Sequence, residues 1–111
     1  MAMIPSTQRR TLSRLTATDI AHQLSQLQGW ILLRQDSGPS IEKSFPFSDF
    51  SNAMSFANAV AFLAQHWDHH PDLTITSQCC VVRYQTHDLG GLSTWDFECA
   101  KRIDLLIASA A

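Results

Sequence analysis

The segment from Ser48 to Trp67 restricts the possible folds more than any other part of the chain, because it carries two apolar stripes at helical spacing. At about 100° per residue, both stripes run along one helix, roughly 120° apart. Ser48 is expected to cap the start of this helix. The first comprises Phe50, Ala53, Met54, Ala57, Ala61 and Ala64, and the second comprises Phe56, Val60, Leu63 and Trp67. A sheet covers one stripe of a helix. The second stripe is therefore expected to contact another helix, in this chain or in a second subunit.

Two further helices are predicted from capping boxes, in which two orphan backbone N–H groups are satisfied reciprocally. The boxes are Thr16 with Asp19 and Ser93 with Asp96, and the helices span residues 18–28 and 93–108.

Four β-prone segments flank the long helix in pairs, at residues 30–34, 41–47, 73–77 and 79–85. The resulting order is α-β-β-α-β-β-α with short links. This order predicts an α+β fold, a two-layer sandwich with three helices on one face of a four-stranded antiparallel sheet.

The composition indicates a folded chain whose surface is short of charge. Of 111 residues, 45% are hydrophobic and 16% are charged, against about 25% charged residues in a typical domain. The net charge of −2 argues against binding nucleic acid through its phosphates. No apolar run reaches the ~20 residues of a membrane span, so a membrane is not expected as a partner either. We therefore expect neither nucleic acid nor membrane as a partner.

The charge is unevenly distributed along the chain. Arg9, Arg10 and Arg14 occur before the first acidic residue. We therefore expect residues 1–15 to form a basic, flexible N-terminal tail and residues 16–111 to form a single domain.

The three cysteines, Cys79, Cys80 and Cys99, form no disulfide framework and no C-x-x-C motif. Cys80 and Cys99 are typical of small buried apolar residues in a reducing compartment. The expected location is the cytoplasm.

Four of the five histidines lie between residues 66 and 87. His69 and His70 stand where the long helix ends, and His87 stands where a strand ends. Functional residues concentrate at such ends, because the scaffold fixes them and the loop admits a substrate. Histidine also exchanges protons near neutral pH. Gly90 and Gly91 could form a second wall of the same cleft.

Asp96 lies on the apolar side of the last helix. It could act in the capping box alone, or it could also bond to an imidazole and orient the ring.

A metal site is the main chemical alternative. His66 and His69, with Asp68 and His70 adjacent, are ligand types that suit zinc. Their spacing matches no established metal motif. We therefore predict no metal and no cofactor.

The chain resembles the pterin-4a-carbinolamine dehydratases in two specific motifs. The first is Asp68-His69-His70-Pro71, and the second runs from Thr86-His87-Asp88 through Gly90-Gly91-Leu92-Ser93 to Asp96. Weaker matches are Gly29-Trp30, Phe45-Pro46-Phe47, Phe50, Ala53, Phe56 and Ile103-Asp104. The resemblance covers nearly everything after the tail.

The resemblance implies dehydration of 4a-hydroxytetrahydropterin to the quinonoid dihydropterin, the recycling step after an aromatic amino acid hydroxylase. The reaction removes hydroxide from C4a and a proton from N5, so it needs an acid and a base and no metal. By resemblance, His69 and His87 are the acid/base pair, His70 is a supporting group and Asp96 is the orienting carboxylate. Which histidine gives the proton and which takes one stays open. The substrate-binding residues expected by resemblance are Asp68, Pro71, Thr86, Asp88, Gly90 and Gly91.

The family's members are dimers or tetramers. We therefore expect a homodimer or homotetramer through helix 48–67, with the second apolar stripe as the subunit contact. The alternative function is a non-catalytic binding, stabilising or coactivator-like protein on the same fold.

Two positions depart from the family's usual pattern. Gln65 replaces a charged residue four places before His69, and Ser77 replaces an aromatic residue eight places after it. An amide at position 65 would support a protonated imidazole more weakly than a carboxylate.

Overall fold

The structure, a computed structural model, describes residues 12–110, with side chains to residue 108. These residues form three α-helices, four strands and one 3₁₀ turn. In chain order the elements are α1 (Ala17–Ser25), β1 (Ile31–Gln35), β2 (Gly38–Pro46), α2 (Phe50–Trp67), β3 (Asp72–Ile75), β4 (Cys79–Tyr84), the 3₁₀ turn (His87–Leu89) and α3 (Thr94–Ala110). The predicted order of elements is confirmed.

The four strands form one antiparallel sheet in the order β1-β2-β4-β3. Asp72, at the start of β3, pairs with Arg83, near the end of β4. Because the two strands run in opposite directions, the residues just before β3 and those just after β4 lie at the same end of the sheet.

Alternate residues of the two central strands form the inner face of the sheet. Ile41 and Phe45 on β2 and Val82 and Tyr84 on β4 are buried. They belong to one cluster of buried side chains that also contains residues of all three helices, among them Ile20, Val60 and Ile103. The α+β prediction is confirmed.

Both apolar stripes of α2 contribute to this core, so the expected subunit contact is wrong in its residues. Val60 and Trp67 of the second stripe are both 0% exposed. The Phe56 ring packs against Phe45 and Phe47, with centroids 4.7 and 5.2 Å apart. Arg102 of α3 lies over Trp67, 5.7 Å from its centroid. The second stripe is therefore buried within the chain, with Phe56 against Phe45 and Phe47 and Trp67 beneath Arg102 of α3.

The exposed large apolar residues of α2 are Phe50 (53%) and Phe62 (74%). At about 100° per residue, Phe62 lies on the opposite side of the helix from Val60.

The residues that cap the starts of α1 and α2 are as predicted, except that the cap of α2 lies one residue later. Both hydrogen bonds of the Thr16–Asp19 capping box form, which confirms that box. The N-cap of α2 is Asp49, whose carboxylate accepts the Asn52 N–H at 2.8 Å, and not Ser48. Both residue types cap helices, and the carboxylate also suits the positive end of the helix dipole.

The segment before α1 contacts the loop that precedes α3. The Leu15 N–H donates to the Leu92 carbonyl at 2.8 Å, and Leu12 and Leu15 pack against the core. Residues 1–11 of the predicted tail lie outside the described residues. The boundary between tail and domain stays a prediction.

Within residues 12–110, none of the helices has the length and apolar character that a membrane crossing requires.

Candidate active site

The carboxylate of Asp96, near the start of α3, is fully buried and bonds to residues of the two links that precede β3 and follow β4. Its Oδ1 lies 2.6 Å from His69 Nε2. Its Oδ2 accepts the Thr86 hydroxyl at 2.7 Å and the Ser93 N–H at 2.9 Å. Three partners compensate the cost of burying a carboxylate. Asp96 therefore both caps the helix and orients an imidazole.

Only half of the predicted Ser93–Asp96 capping box forms. The Ser93 hydroxyl lies 2.7 Å from Thr86 Oγ1, and the Asp96 N–H donates instead to the Ser93 carbonyl, at 3.2 Å. Since the Thr86 hydroxyl donates to Asp96, its oxygen accepts from Ser93. Ser93, a residue of the second motif and of the predicted capping box, is therefore also a member of this hydrogen-bond network.

His69 is 1% exposed, and its ring is held in place by neighbours on two sides. One ring nitrogen, Nε2, faces Asp96. One face of the ring stacks on Tyr84, with centroids 5.0 Å apart and an angle of 13° between the planes. Asp68, which caps the end of α2 in the left-handed conformation (φ 53°), turns the chain so that His69 faces inward.

The second nitrogen of His69 has a different environment. Nδ1 is buried and makes no hydrogen bond to any part of the chain that the structure describes. A carboxylate against Nε2 keeps the proton of a neutral ring on Nε2, which leaves a lone pair on Nδ1. A buried polar atom without a partner calls for an explanation, and a role in catalysis is one.

His70 and His87 are both exposed. His70 Nε2 lies 3.1 Å from Gln65 Oε1, so the amide accepts from this ring. His70 directly follows His69, and His87 directly follows Thr86. Asp96 thus bonds to the residue before each of these two histidines, at the end of the sheet where β3 begins and β4 ends.

The other predicted substrate-binding residues surround this network. Asp68, Asp88 and Gly90 are exposed, Pro71 is half-buried and Gly91 is buried. Within residues 12–110, Thr86 is the member of this set that bonds directly to Asp96.

The loop that carries His87 is held by the β1–β2 hairpin. A backbone hydrogen bond from Thr86 N–H to the Gly91 carbonyl, 2.9 Å long, closes the loop. A Cβ on Gly38 (φ +108°) would lie 2.1 Å from the Gly90 carbonyl oxygen. Glycine at position 38 therefore permits a close approach of two backbones, a role visible only in the folded chain.

Within residues 12–110, no three histidine, cysteine or acidic side chains are placed to hold a metal ion. His66, one of the ligands considered above, lies exposed on α2.

The buried thiols are unreactive. Burial, together with the nearby charge of Asp96, raises the pKa of Cys99 to about 12. Burial and the neighbouring Cys79 raise the pKa of Cys80. A thiol is nucleophilic only as the thiolate. Both residues therefore act as buried apolar residues, as predicted.

The pattern that describes the family Pterin 4 alpha carbinolamine dehydratase matches residues 13–106. The chain belongs to this family.

Relatives of the chain agree with the assignment. It is 47% identical to a protein of Paracidovorax citrulli over 96 residues, which cover 86% of this chain and 83% of that one. It is 44% identical to a protein of Nitrosospira multiformis over 92 residues, covering 83% and 78%. Both are provisionally named pterin-4-alpha-carbinolamine dehydratases. The predicted family, and with it the prediction of an enzyme of the lyase class, is confirmed.

A solved structure has the same fold. The crystal structure of a transcriptional coactivator/pterin dehydratase from Brucella melitensis matches 84% of this chain and 97% of its own, with a TM-score of 0.76 and 30% identity.

The two departures from the dehydratase pattern lie at different places. Gln65 contacts His70, so it belongs to the site. Ser77 lies in the turn after β3, and His69 lies before that strand. The four residues of β3, at about 3.3 Å each, separate its two ends. Within one chain, the change at Ser77 is therefore remote from the histidines.

Proposed function

We propose that this chain dehydrates 4a-hydroxytetrahydropterin to the quinonoid dihydropterin by general acid/base catalysis at histidines. Hydroxide leaves C4a and is protonated to water, and the N5 proton passes to a base. The substrate is supplied by a pterin-dependent aromatic amino acid hydroxylase. The observation that carries the proposal is the double anchoring by Asp96, which ties the segments of His69 and His87 to one carboxylate.

In this proposal His69 and His87 exchange protons with the substrate, and His70 binds and supports it. His87 is open to solvent, so a pterin can contact it directly. Nδ1 of His69 is the ring nitrogen that Asp96 does not occupy. Because Nδ1 is buried, a pterin reaches it only when the atoms that cover it move aside. A network that needs no metal suits a reaction of one acid and one base.

His87→Ala is expected to lower the rate of dehydration about 100-fold, the usual contribution of a general acid or base. Because His87 is exposed, the variant should fold like the wild type. The measurement is the disappearance of the 4a-hydroxypterin, corrected for the spontaneous reaction. His66→Ala, an exposed histidine on α2, is the matched control and should keep full activity. Wild-type protein no faster than the spontaneous reaction would refute the proposal.

The second candidate function is non-catalytic binding, as a stabiliser or coactivator of a partner protein. It is favoured by the name of the Brucella melitensis structure, which joins a transcriptional coactivator to a pterin dehydratase. The rate assay separates the two, because a protein of the binding class leaves the spontaneous rate unchanged.

We further propose that the chain forms a homodimer or homotetramer through α2. The buried second stripe does not provide the contact, so the exposed residues Phe50 and Phe62 take that role. A cytoplasmic location is proposed as well, because Cys79, Cys80 and Cys99 are all free thiols.

Phe62→Asp is expected to convert the oligomer to monomers at micromolar concentration, since it places a charge in the apolar contact. Sedimentation or light scattering measures the mass. Leu105→Asp, at a position of α3 that is 64% exposed, is the matched control and should leave the mass unchanged. A wild-type protein that is already monomeric at this concentration would contradict the proposed assembly.

A further inference from the structure

Tyr84, the last residue of β4, makes two separate contacts with His69. Its ring lies nearly parallel to the imidazole, at 13°, with centroids 5.0 Å apart. Its hydroxyl donates to the main-chain carbonyl oxygen of His69 at 3.1 Å. Both side chains are buried, so water does not compete for this bond.

The bond to the carbonyl also acts on the next residue, because a peptide unit is planar. The carbonyl of His69 and the N–H of His70 lie in one plane. By holding that carbonyl, the Tyr84 hydroxyl also helps to fix the orientation of the His70 backbone. The stacking contact acts on His69 itself. Asp96 holds the Nε2 edge of that ring and Tyr84 holds one face, which together fix the direction of Nδ1.

We propose that Tyr84 is a positioning residue for the dehydration, which places His69 and His70 without touching the pterin. This inference rests on the function proposed above. It adds a residue outside the His-His-Pro and Thr-His motifs to the groups on which the rate depends.

Tyr84→Phe removes the hydroxyl and keeps the ring, so the stacking on His69 remains. We expect kcat to fall about tenfold, since small displacements of reacting groups have effects of this size or larger. We also expect a shift in the pH profile of kcat/KM. Val82→Ala, at a buried position of the same strand, is the matched control. It should lower the unfolding midpoint and leave kcat and the pH profile unchanged.

The outcomes separate this inference from the proposed function. An inactive wild type overturns the function. An active wild type, with Tyr84→Phe equally active and unchanged in pH profile, overturns the positioning role alone. A loss of activity matched by Val82→Ala also overturns it, because the effect would then be one of core packing.

A second measurement covers the case in which Tyr84→Phe does not fold. Tyr84 is the single tyrosine of the chain, so 3,5-difluorotyrosine can be incorporated at this site alone. Fluorine lowers the pH at which the hydroxyl ionises, and a phenolate cannot donate to the His69 carbonyl. The kcat of the fluorinated protein should therefore decline at a lower pH than that of the unlabelled protein. Identical profiles would overturn the proposal.

Discussion

Asp96→Asn is expected to slow the dehydration about 1,000-fold, within the range of general acid/base effects. The carbonyl oxygen of the new amide would take the place of Oδ2, which accepts from Thr86 and from the Ser93 N–H. The NH₂ group of the amide would then face His69 Nε2. That nitrogen must become an acceptor, so the proton of a neutral ring moves to Nδ1, and Nδ1 no longer carries a free lone pair.

The variant should remain folded, because an amide can keep all three contacts. Replacing a charged acceptor by a neutral one is expected to cost about 1 kcal/mol of stability. The rate of dehydration and the thermal unfolding midpoint are measured on the same preparation. Glu98→Gln makes the same chemical change at a nearby residue of α3, which is paired with Arg102, and should keep full activity. If Asp96→Asn stays within about twofold of wild type, Asp96 does not set the state of His69.

Val60→Asp is expected to unfold the chain. Val60 is 0% exposed in the middle of α2, within the cluster that joins the sheet to the helices. An unpaired carboxylate at such a position costs several kcal/mol. A domain of this size has a total stability of about 5–15 kcal/mol. Circular dichroism and recovery of soluble protein measure the effect.

Phe62→Asp is the matched control for this substitution. It places the same side chain in the same helix, at a position 74% exposed. The chain should keep its native helix content whatever the assembly state, because exposed substitutions change the stability by about 0.5 kcal/mol or less. If Val60→Asp folds and Phe62→Asp does not, the inward and outward sides of α2 are reversed.

The fold could be predicted from the sequence because its signals are local. Helical and alternating patterns extend over a few residues, and the Thr16–Asp19 box involves residues three apart. The shift of the α2 cap from Ser48 to Asp49 shows the limit of such signals. Two adjacent residues can both cap a helix, and only the folded chain shows that Asp49 is the one that accepts the Asn52 N–H.

The histidines could be found from the sequence, but their environments could not. His69 and His70 are neighbours in the same motif, yet one is buried against Asp96 and the other is exposed beside Gln65. Asp68 adopts the left-handed conformation just before His69, and Asp96 and Tyr84 both contact the buried residue. Neither contact leaves a periodic signal in the sequence.

The sequence by itself determined the order of the elements, the family and the identity of the titratable groups, because each depends on residue types at short spacing. The tertiary structure alone decided that the second stripe of α2 is buried within the chain, and that Asp96 reaches His69 across 27 residues of chain. Such contacts depend on how separately formed elements dock. The docking depends on the packing of the whole core, and no single segment of the sequence specifies that packing.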